Sequence, residues 1–249
     1  MCYHYTFTKK QEQVMKAITA EWEMPFEPVY HANGFTFPHM PVITSQEPGK
    51  VQAYTWGLIP HWVSNLEAAN KLRAQTLNAK GETVFEKPAF RSYVPKRRCL
   101  VLADGFFEWM EFQKKKYPHL VRLQDEELFA FAGIYSHWTE PETGELFRTF
   151  AIITTAANPF MARIHNSKER MPVILPRDAW STWLNPELPR EQIEAMLQPC
   201  PDSHLKAHTI DRGIGRPGAD TNHAGTLAEV SYPELGASPE QFSLFDSNG

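Results

Sequence analysis

Two places in this chain carry residue types that can do covalent or proton-transfer chemistry without help from a metal. The first is Met1-Cys2. Initiator methionine is removed when the next side chain is small, and cysteine is small. The processed chain then begins with a free α-amine and a thiol on adjacent carbons, with unperturbed pKa values of about 7.7–8.0 and about 8.5. The amine can add to an aldehyde to give an imine, and the thiol can close onto the imine carbon to give a five-membered thiazolidine. Cys2 therefore suggests an aldehyde trap or an N-terminal nucleophile. Position alone favours a plainer reading, a small residue on a frayed terminus. The second place is Glu108, set among Phe106, Phe107 and Trp109. A carboxylate held in that aromatic surface loses solvation, and its pKa rises toward the range useful for proton transfer. On an alternating strand the same residue would instead point to solvent, opposite Phe107 and Trp109.

The composition is that of a soluble globular protein, with 42% hydrophobic and 22% charged residues in a chain of 249. No apolar run approaches membrane-spanning length. The first ten residues lack the basic-then-apolar order of a signal peptide, so a cytoplasmic location is expected. Cys2, Cys99 and Cys200 are an odd number without CxxC spacing. That argues against a disulfide framework or a zinc site and for a reducing compartment. The net charge of −4 by itself argues against a nucleic-acid partner. The charge is uneven, however: residues 71–98 hold eight basic and two acidic side chains, a net of +6. This is either one electrostatic face aimed at phosphates or a solvated surface paired with acids elsewhere.

The elements that would position these groups are mostly short strands. Thr8–Glu23 reads as a helix, with Thr8 as N-cap and Val14, Ile18 and Trp22 at helical spacing. Val51–Ile59 alternates and runs into a turn at Pro60-His-Trp62, where Trp62 either packs in the core or stands exposed to stack on a base. Cys99–Leu102 is a continuous apolar run, read as a buried strand ahead of a turn or bulge at Asp104-Gly105. Strands are expected at 119–123, 128–138, 147–155 and 205–210. Short helices are expected before His165, from Pro176 to Leu184 and from Pro189 to Leu197. There is no internal repeat and no obvious linker. The pattern predicts one β-rich α+β domain, not a βαβ array. Its expected extent is residues 1–232, with residues 233–249 as a flexible tail.

Several segments taken together are similar to one family. Cys2, Trp56-Gly-Leu-Ile-Pro60, Asn78-Ala-Lys-Gly-Glu-Thr83, Cys99-Leu-Val-Leu-Ala-Asp-Gly-Phe-Phe-Glu-Trp109 and Ile164-His165 followed by Arg170-Met-Pro-Val-Ile-Leu175 occur in the order seen in SRAP (SOS response-associated peptidase) proteins. The resemblance runs from residue 2 to about residue 230. It implies a strongly curved, barrel-like sheet with a few flanking helices, and covalent crosslinking to abasic sites in single-stranded DNA. It also implies roles for Cys2 as nucleophile and for Asn78, Glu108 and His165 as the other catalytic residues. The chain departs from the family at its start, where Tyr3-His4 stands in place of Gly-Arg, and at Lys80, which replaces an arginine. Both departures touch presumed phosphate contacts.

The chemistry implied is stepwise. His165 assists opening of the sugar ring, the Cys2 amine attacks C1′, Glu108 moves protons, and the thiol closes the thiazolidine. Asn78, with donor and acceptor on one neutral group, suits holding the amine or sugar oxygen. Loss of the β-phosphate before closure would give lyase chemistry, and removal of Met1 by the protein itself would account for the family's peptidase name. No metal or organic cofactor is called for. Taken singly, Asn78 could cap a helix and His165 could be an ordinary loop histidine. For DNA contacts the candidates are Lys80, Trp62, Arg91 and Arg170, then Thr155 and Asn33. Lys80 offers a point charge where arginine offers a fork. The end of the chain, Gln241-Phe-Ser-Leu-Phe245, resembles a bacterial sliding-clamp-binding pentapeptide, with Gln241, Leu244 and Phe245 as anchors. Folding back of Phe242, Leu244 and Phe245 onto the domain is the alternative. The expected protein is a monomer without membrane contact, nucleoid-associated when bound to DNA. Competing classes are a thiol protease using Cys2, His165 and Asn78, and a non-covalent single-strand or clamp adaptor.

Overall fold

The structure, a computed structural model, describes residues 2–125 and 127–236. Its strands are β1 (His4–Phe7), β2 (Glu21–Trp22), β3 (Val29–Asn33), β4 (His39–Thr44), β5 (Lys50–Trp56), β6 (Asn78–Lys80), β7 (Arg98–Ala103), β8 (Gly105–Phe112), β9 (Lys115–Leu123), β10 (Phe129–Thr139), β11 (Leu146–Ala156), β12 (Arg170–Pro172), β13 (Ile174–Leu175) and β14 (Leu205–Thr209). The α-helices are short: α1 (Gln11–Ala17), α2 (Leu66–Arg73), α3 (Pro159–Ile164), α4 (Trp180–Leu184) and α5 (Arg190–Ala195).

Five strands close on themselves. Successive antiparallel pairings join β5 to β4, β4 to β7, β7 to β10 and β10 to β11. A parallel pairing of β11 with β5, Thr149 beside Thr55 and Phe150 beside Trp56, completes the ring. Closure removes the unpaired edges of these apolar strands. The long strand β11 then outruns the ring. Near its end β6 takes the place of β5, with Asn78 beside Ile152, and β12 takes the place of β10, with Met171 beside Thr155. Two distant stretches, 78–80 and 170–172, thus arrive at one end of the barrel. The continuous apolar run at 99–102 lies in β7, between β4 and β10, and is fully buried as its composition predicts.

A second, antiparallel sheet has the order β14-β9-β8-β1-β3. It packs on the barrel through aromatic edges: Tyr5 meets Trp56 at 5.0 Å and Phe131 at 5.7 Å, and Phe106 meets Phe131 at 5.8 Å. Such pairs add to the area they bury through edge-to-face attraction. The fold is α+β, with a closed, curved sheet and few flanking helices.

Two expectations are corrected, and one alternative left open by the sequence is decided. The first helix spans Gln11–Ala17, not Thr8–Glu23. Thr8 does not cap it: its N–H donates to the Asp104 carboxylate at 2.9 Å, and its hydroxyl bonds the same oxygen. Glu21 and Trp22 leave the helical pattern to pair with Lys50 and Val51. Long-range pairing has overridden local periodicity there. The basic segment is not one face, because Arg98 is fully buried and Arg73 is buried over the Phe37 ring, 4.1 Å from its centroid. The described fold also continues past residue 232. Pro233–Leu235 form a 3-10 turn, and Glu234 accepts from the Tyr117 hydroxyl at 2.9 Å and pairs with Arg212 at 2.8 Å. Gln241, Leu244 and Phe245 lie outside the described residues.

Candidate active site

Residue 2 is not frayed. Cys2 is fully buried two residues before β1, with its thiol directed at the His4 carbonyl, 3.7 Å away. The next carbonyl, that of Tyr3, accepts the Gly34 N–H at 2.8 Å. On the other side of β1, Tyr5 pairs with Phe106 of β8. Continuing that antiparallel register by two residues puts Glu108 opposite Tyr3, so the strand pairing itself delivers the carboxylate to the segment that begins with Cys2. Glu108 is buried; the solvent-facing alternative for this residue is therefore excluded.

His165 reaches the same place from the barrel side. It ends α3, whose N-cap Asn158 accepts from the Met161 N–H at 2.7 Å. The following residue, Asn166, clasps the β8 backbone by accepting from the Glu111 N–H at 3.0 Å and donating to its carbonyl at 2.8 Å. This clasp fixes the loop over the strand that carries Glu108. His165 Nδ1 lies 2.7 Å from the Arg170 carbonyl, which requires a proton on Nδ1 and leaves the ring lone pair on Nε2. The same Nδ1 is 3.7 Å from Glu108 Oε2.

Burial sets the protonation states. It pushes the Glu108 carboxyl up to about 8. It pulls His165 down to about 4, against the opposing effect of the Arg170 carbonyl. Burial, and then the charge of Glu108, raise the Cys2 thiol well above the usual thiol range. At neutral pH the site thus offers a carboxylic acid poised near its midpoint, a neutral imidazole and an un-ionised thiol. Asn78 adds an unusual feature. Both its Oδ1 and its Nδ2 are buried, and neither has a hydrogen-bond partner among the described residues. It begins β6, so it does not cap a helix, and its neighbour Leu77 packs against Gly34 beneath the Tyr3 carbonyl. An amide left unsatisfied in a folded interior costs about 1–3 kcal/mol, which a structural role would not require.

Glu108 and His165 open into a cavity of about 520 Å³, which Tyr3 and His4 also line. Sequence reading did not foresee its other polar walls, Lys116, Lys168, Arg212 and Arg216, against Glu111. These cations come from β9, the loop after α3 and the segment after β14, and no local pattern links them. His4 is also part of an unforeseen chain. Its Nδ1 lies 2.8 Å from His31 Nε2, and His31 Nδ1 lies 2.7 Å from the Thr221 hydroxyl. Burial lowers His4 to about 3 and His31 to about 4, so both are neutral where the family commonly has an arginine at position 4.

The expected DNA contacts are dispersed. Lys80 and Arg91 are exposed, and Trp62 is 52% exposed. Trp62 and Arg91 flank a joint where the Tyr93 hydroxyl accepts from the His61 N–H, but neither lines the cavity. Arg170 is committed internally, bidentate to Glu82 and donating to the Thr154 carbonyl at 2.8 Å. Thr155 is buried in β11. Asn33 uses its side-chain oxygen to accept from the Phe35 N–H at 3.1 Å. The structure therefore places Glu108 and His165 on one cavity, with Cys2 buried behind its lining residues Tyr3 and His4, brings Asn78 to one end of the barrel, and leaves Arg170, Thr155 and Asn33 with structural partners.

The fold is thus a closed barrel with a second sheet, in which the buried residue 2 lies close to a buried carboxyl and imidazole. The chain matches the family model for SOS response associated peptidase (SRAP) over residues 1–217, and it belongs to that family. It is similar to the abasic site processing protein YoqW of Bacillus subtilis, with 32% identity over 222 residues covering 87% of this chain and 95% of that protein. It is also similar to the abasic site processing protein HMCES of Gallus gallus, with 29% identity over 200 residues covering 72% of this chain and 58% of that one. Among solved structures, a protein from Bacteroides thetaiotaomicron has 36% identity and a TM-score of 0.87, covering 92% of this chain and all of that chain.

Proposed function

We propose that this protein processes abasic sites in single-stranded DNA by forming a covalent thiazolidine through Cys2 after Met1 is removed. The observation that carries the reading is the burial of residue 2 within electrostatic reach of a carboxyl group whose pKa stands near 8. The names of the related proteins supply the substrate class.

In this reading the neutral His165 takes the C1′ hydroxyl proton through Nε2 and passes it to O4′ as the C1′–O4′ bond breaks and the sugar opens to its aldehyde. The Cys2 amine attacks C1′, forming the C–N bond. The nitrogen proton passes to the Glu108 carboxylate, and protonated Glu108 returns it to the carbinolamine hydroxyl, which leaves as water. The thiol then adds across C=N, with sulfur bonding to carbon and its proton going to nitrogen. The net change is aldehyde plus amine plus thiol to thiazolidine plus water. Glu108 serves both halves of the shuttle because its pKa lies near working pH. The unsatisfied Asn78 amide suits the sugar or the amine. Loss of the β-phosphate from the open imine would be a side reaction, and self-removal of Met1 belongs to the same proposal. The thiol-protease reading is not adopted, because a thiol raised by burial and by a neighbouring carboxylate is the reverse of an activated thiolate.

The test is denaturing electrophoresis of the protein, its mass showing a start at Cys2, with single-stranded DNA carrying one abasic site. A band that survives denaturation and vanishes with Cys2→Ala is expected. DNA binding without any such band would contradict the covalent reading and favour an adaptor.

A further inference from the structure

Most phenylalanines of the two sheets are fully buried, Phe7, Phe106, Phe107 and Phe150 among them, but Phe35 is 51% exposed. A lone exposed apolar ring is ordinary on a protein surface. Phe35 differs in how it is held and where it stands. It sits on a 3-10 turn, Gly34–Thr36, fastened at both ends. Its N–H donates to the Asn33 side chain at 3.1 Å, and the Thr36 hydroxyl donates to the Asn33 carbonyl at 2.8 Å. Gly34 is locked below it: a Cβ there would stand 3.2 Å from the Leu77 side chain and from the Trp56 ring. The Gly34 N–H in turn holds the carbonyl of Tyr3, the residue after the nucleophile. The Phe35 ring leans on the Tyr3 ring, 4.9 Å between centroids at 37°, and Tyr3 lines the cavity that contains Glu108 and His165. A half-exposed aromatic ring therefore stands against Tyr3 of the cavity wall, on a turn tied by one hydrogen bond to the segment that carries Cys2.

We propose that Phe35, backed by Tyr3, stacks on the nucleobase flanking the abasic nucleotide and so fixes the gap over Cys2. This rests on the abasic-DNA reading above. A missing base leaves its neighbour with one uncovered π-face, and a ring standing against the cavity wall can cover it. Phe35 has no polar side-chain atom, so the contact reads the presence of a base and not its identity, as stacking platforms for single strands do. Asn33, expected to touch DNA itself, acts here as a positioning residue that sets the ring.

The test uses the full chain and a single-stranded oligonucleotide carrying a tetrahydrofuran abasic analogue, which has no aldehyde and so reports non-covalent binding. 2-Aminopurine placed on either side of the analogue reads stacking through quenching of its fluorescence. Wild type is expected to bind and to quench the probe on one side. Phe35→Ala and Phe35→Leu are expected to weaken binding by about five- to a hundredfold and lift the quench, whereas Phe35→Trp retains both. Leucine keeps apolar bulk without a π-face, so loss there reports stacking and not a damaged turn. Wild-type binding with affinity and quench unchanged in Phe35→Leu would overturn the stacking proposal alone. No binding by wild type would overturn the abasic-DNA reading with it. A change in sedimentation on mutation, with DNA binding intact, would make the ring a contact between copies and likewise overturn the proposal.

Discussion

Arg98 and Glu108 are both ionisable groups buried in the same fold, and they are treated in opposite ways. Arg98 sits at the start of β7 with its guanidinium donating to the carbonyls of Val94, Pro95, Trp183 and Asn185, and it lies 5.6 Å from the centre of the Trp183 ring. Burial lowers it only to about 10, so it stays charged at neutral pH and is answered by four backbone oxygens, of which that of Asn185 also accepts the Leu188 N–H at 3.1 Å. It ties α4 to the barrel. Glu108 is taken out of water by the second sheet, its carboxyl is displaced toward neutrality, and the nearby Asn78 amide has no partner among the described residues. Burial of a polar group is costly unless it is hydrogen-bonded. At Arg98 that cost is offset and the result is rigidity. At Glu108 burial instead displaces the proton equilibrium, which is what the proposed reaction uses.

Substitutions at the two residues should therefore move stability in opposite directions. The larger effect is expected for Arg98→Met, which orphans the carbonyls of Val94, Pro95 and Trp183 and is predicted to lose about 3–5 kcal/mol of unfolding free energy. Urea titration would read this as an earlier midpoint, and wild-type stability would show that satisfying these carbonyls is not what the guanidinium is for. Glu108→Gln should go the other way. A carboxyl raised in the fold keeps a proton that the unfolded chain releases above about pH 4.3. The stability contribution is thus fully present below that pH and is lost as pH rises toward about 8. Gln removes the loss, so the variant should match wild type near pH 4 and exceed it at pH 9, by about 1.4 kcal/mol for each tenfold displacement of the proton equilibrium. Equal stabilities at pH 9 would mean that the carboxyl is not held out of water.

The unequal treatment of these groups also explains what could be read in the sequence. The apolar run at 99–102 signals its own burial, because side-chain type decides it locally, whereas for Glu108 the sequence leaves burial and exposure both open and the pairing of β8 with β1 decides between them. The four chemical candidates were legible as types in ordered motifs. What was not legible depends on partners far along the chain. Arg98 counts as one of eight basic residues until α4 supplies its carbonyls, and Thr8 looks like a helix cap until Asp104 takes its hydroxyl. Asn33 and Arg170 look like DNA contacts until Phe35 and Glu82 engage them. The cavity cations lie on separate elements, and the His4–His31–Thr221 chain joins residues up to 190 positions apart. Such groupings come only from the pairing of strands.

The central claim is that Glu108 is buried in order to move protons for the Cys2 amine. Its most direct test is the rate of covalent adduct formation with abasic single-stranded DNA as a function of pH, for wild type and Glu108→Gln. The wild-type profile should be bell-shaped near pH 8. Its acid limb should follow deprotonation of the α-amine, with a pKa of about 7.7–8.0, and its alkaline limb should follow deprotonation of Glu108 near 8, with dehydration of the carbinolamine by the protonated acid as the slow step. Glu108→Gln should be slower by about 10²–10⁴-fold and should lose the alkaline limb. An unchanged rate and an unchanged profile in Glu108→Gln would contradict the account.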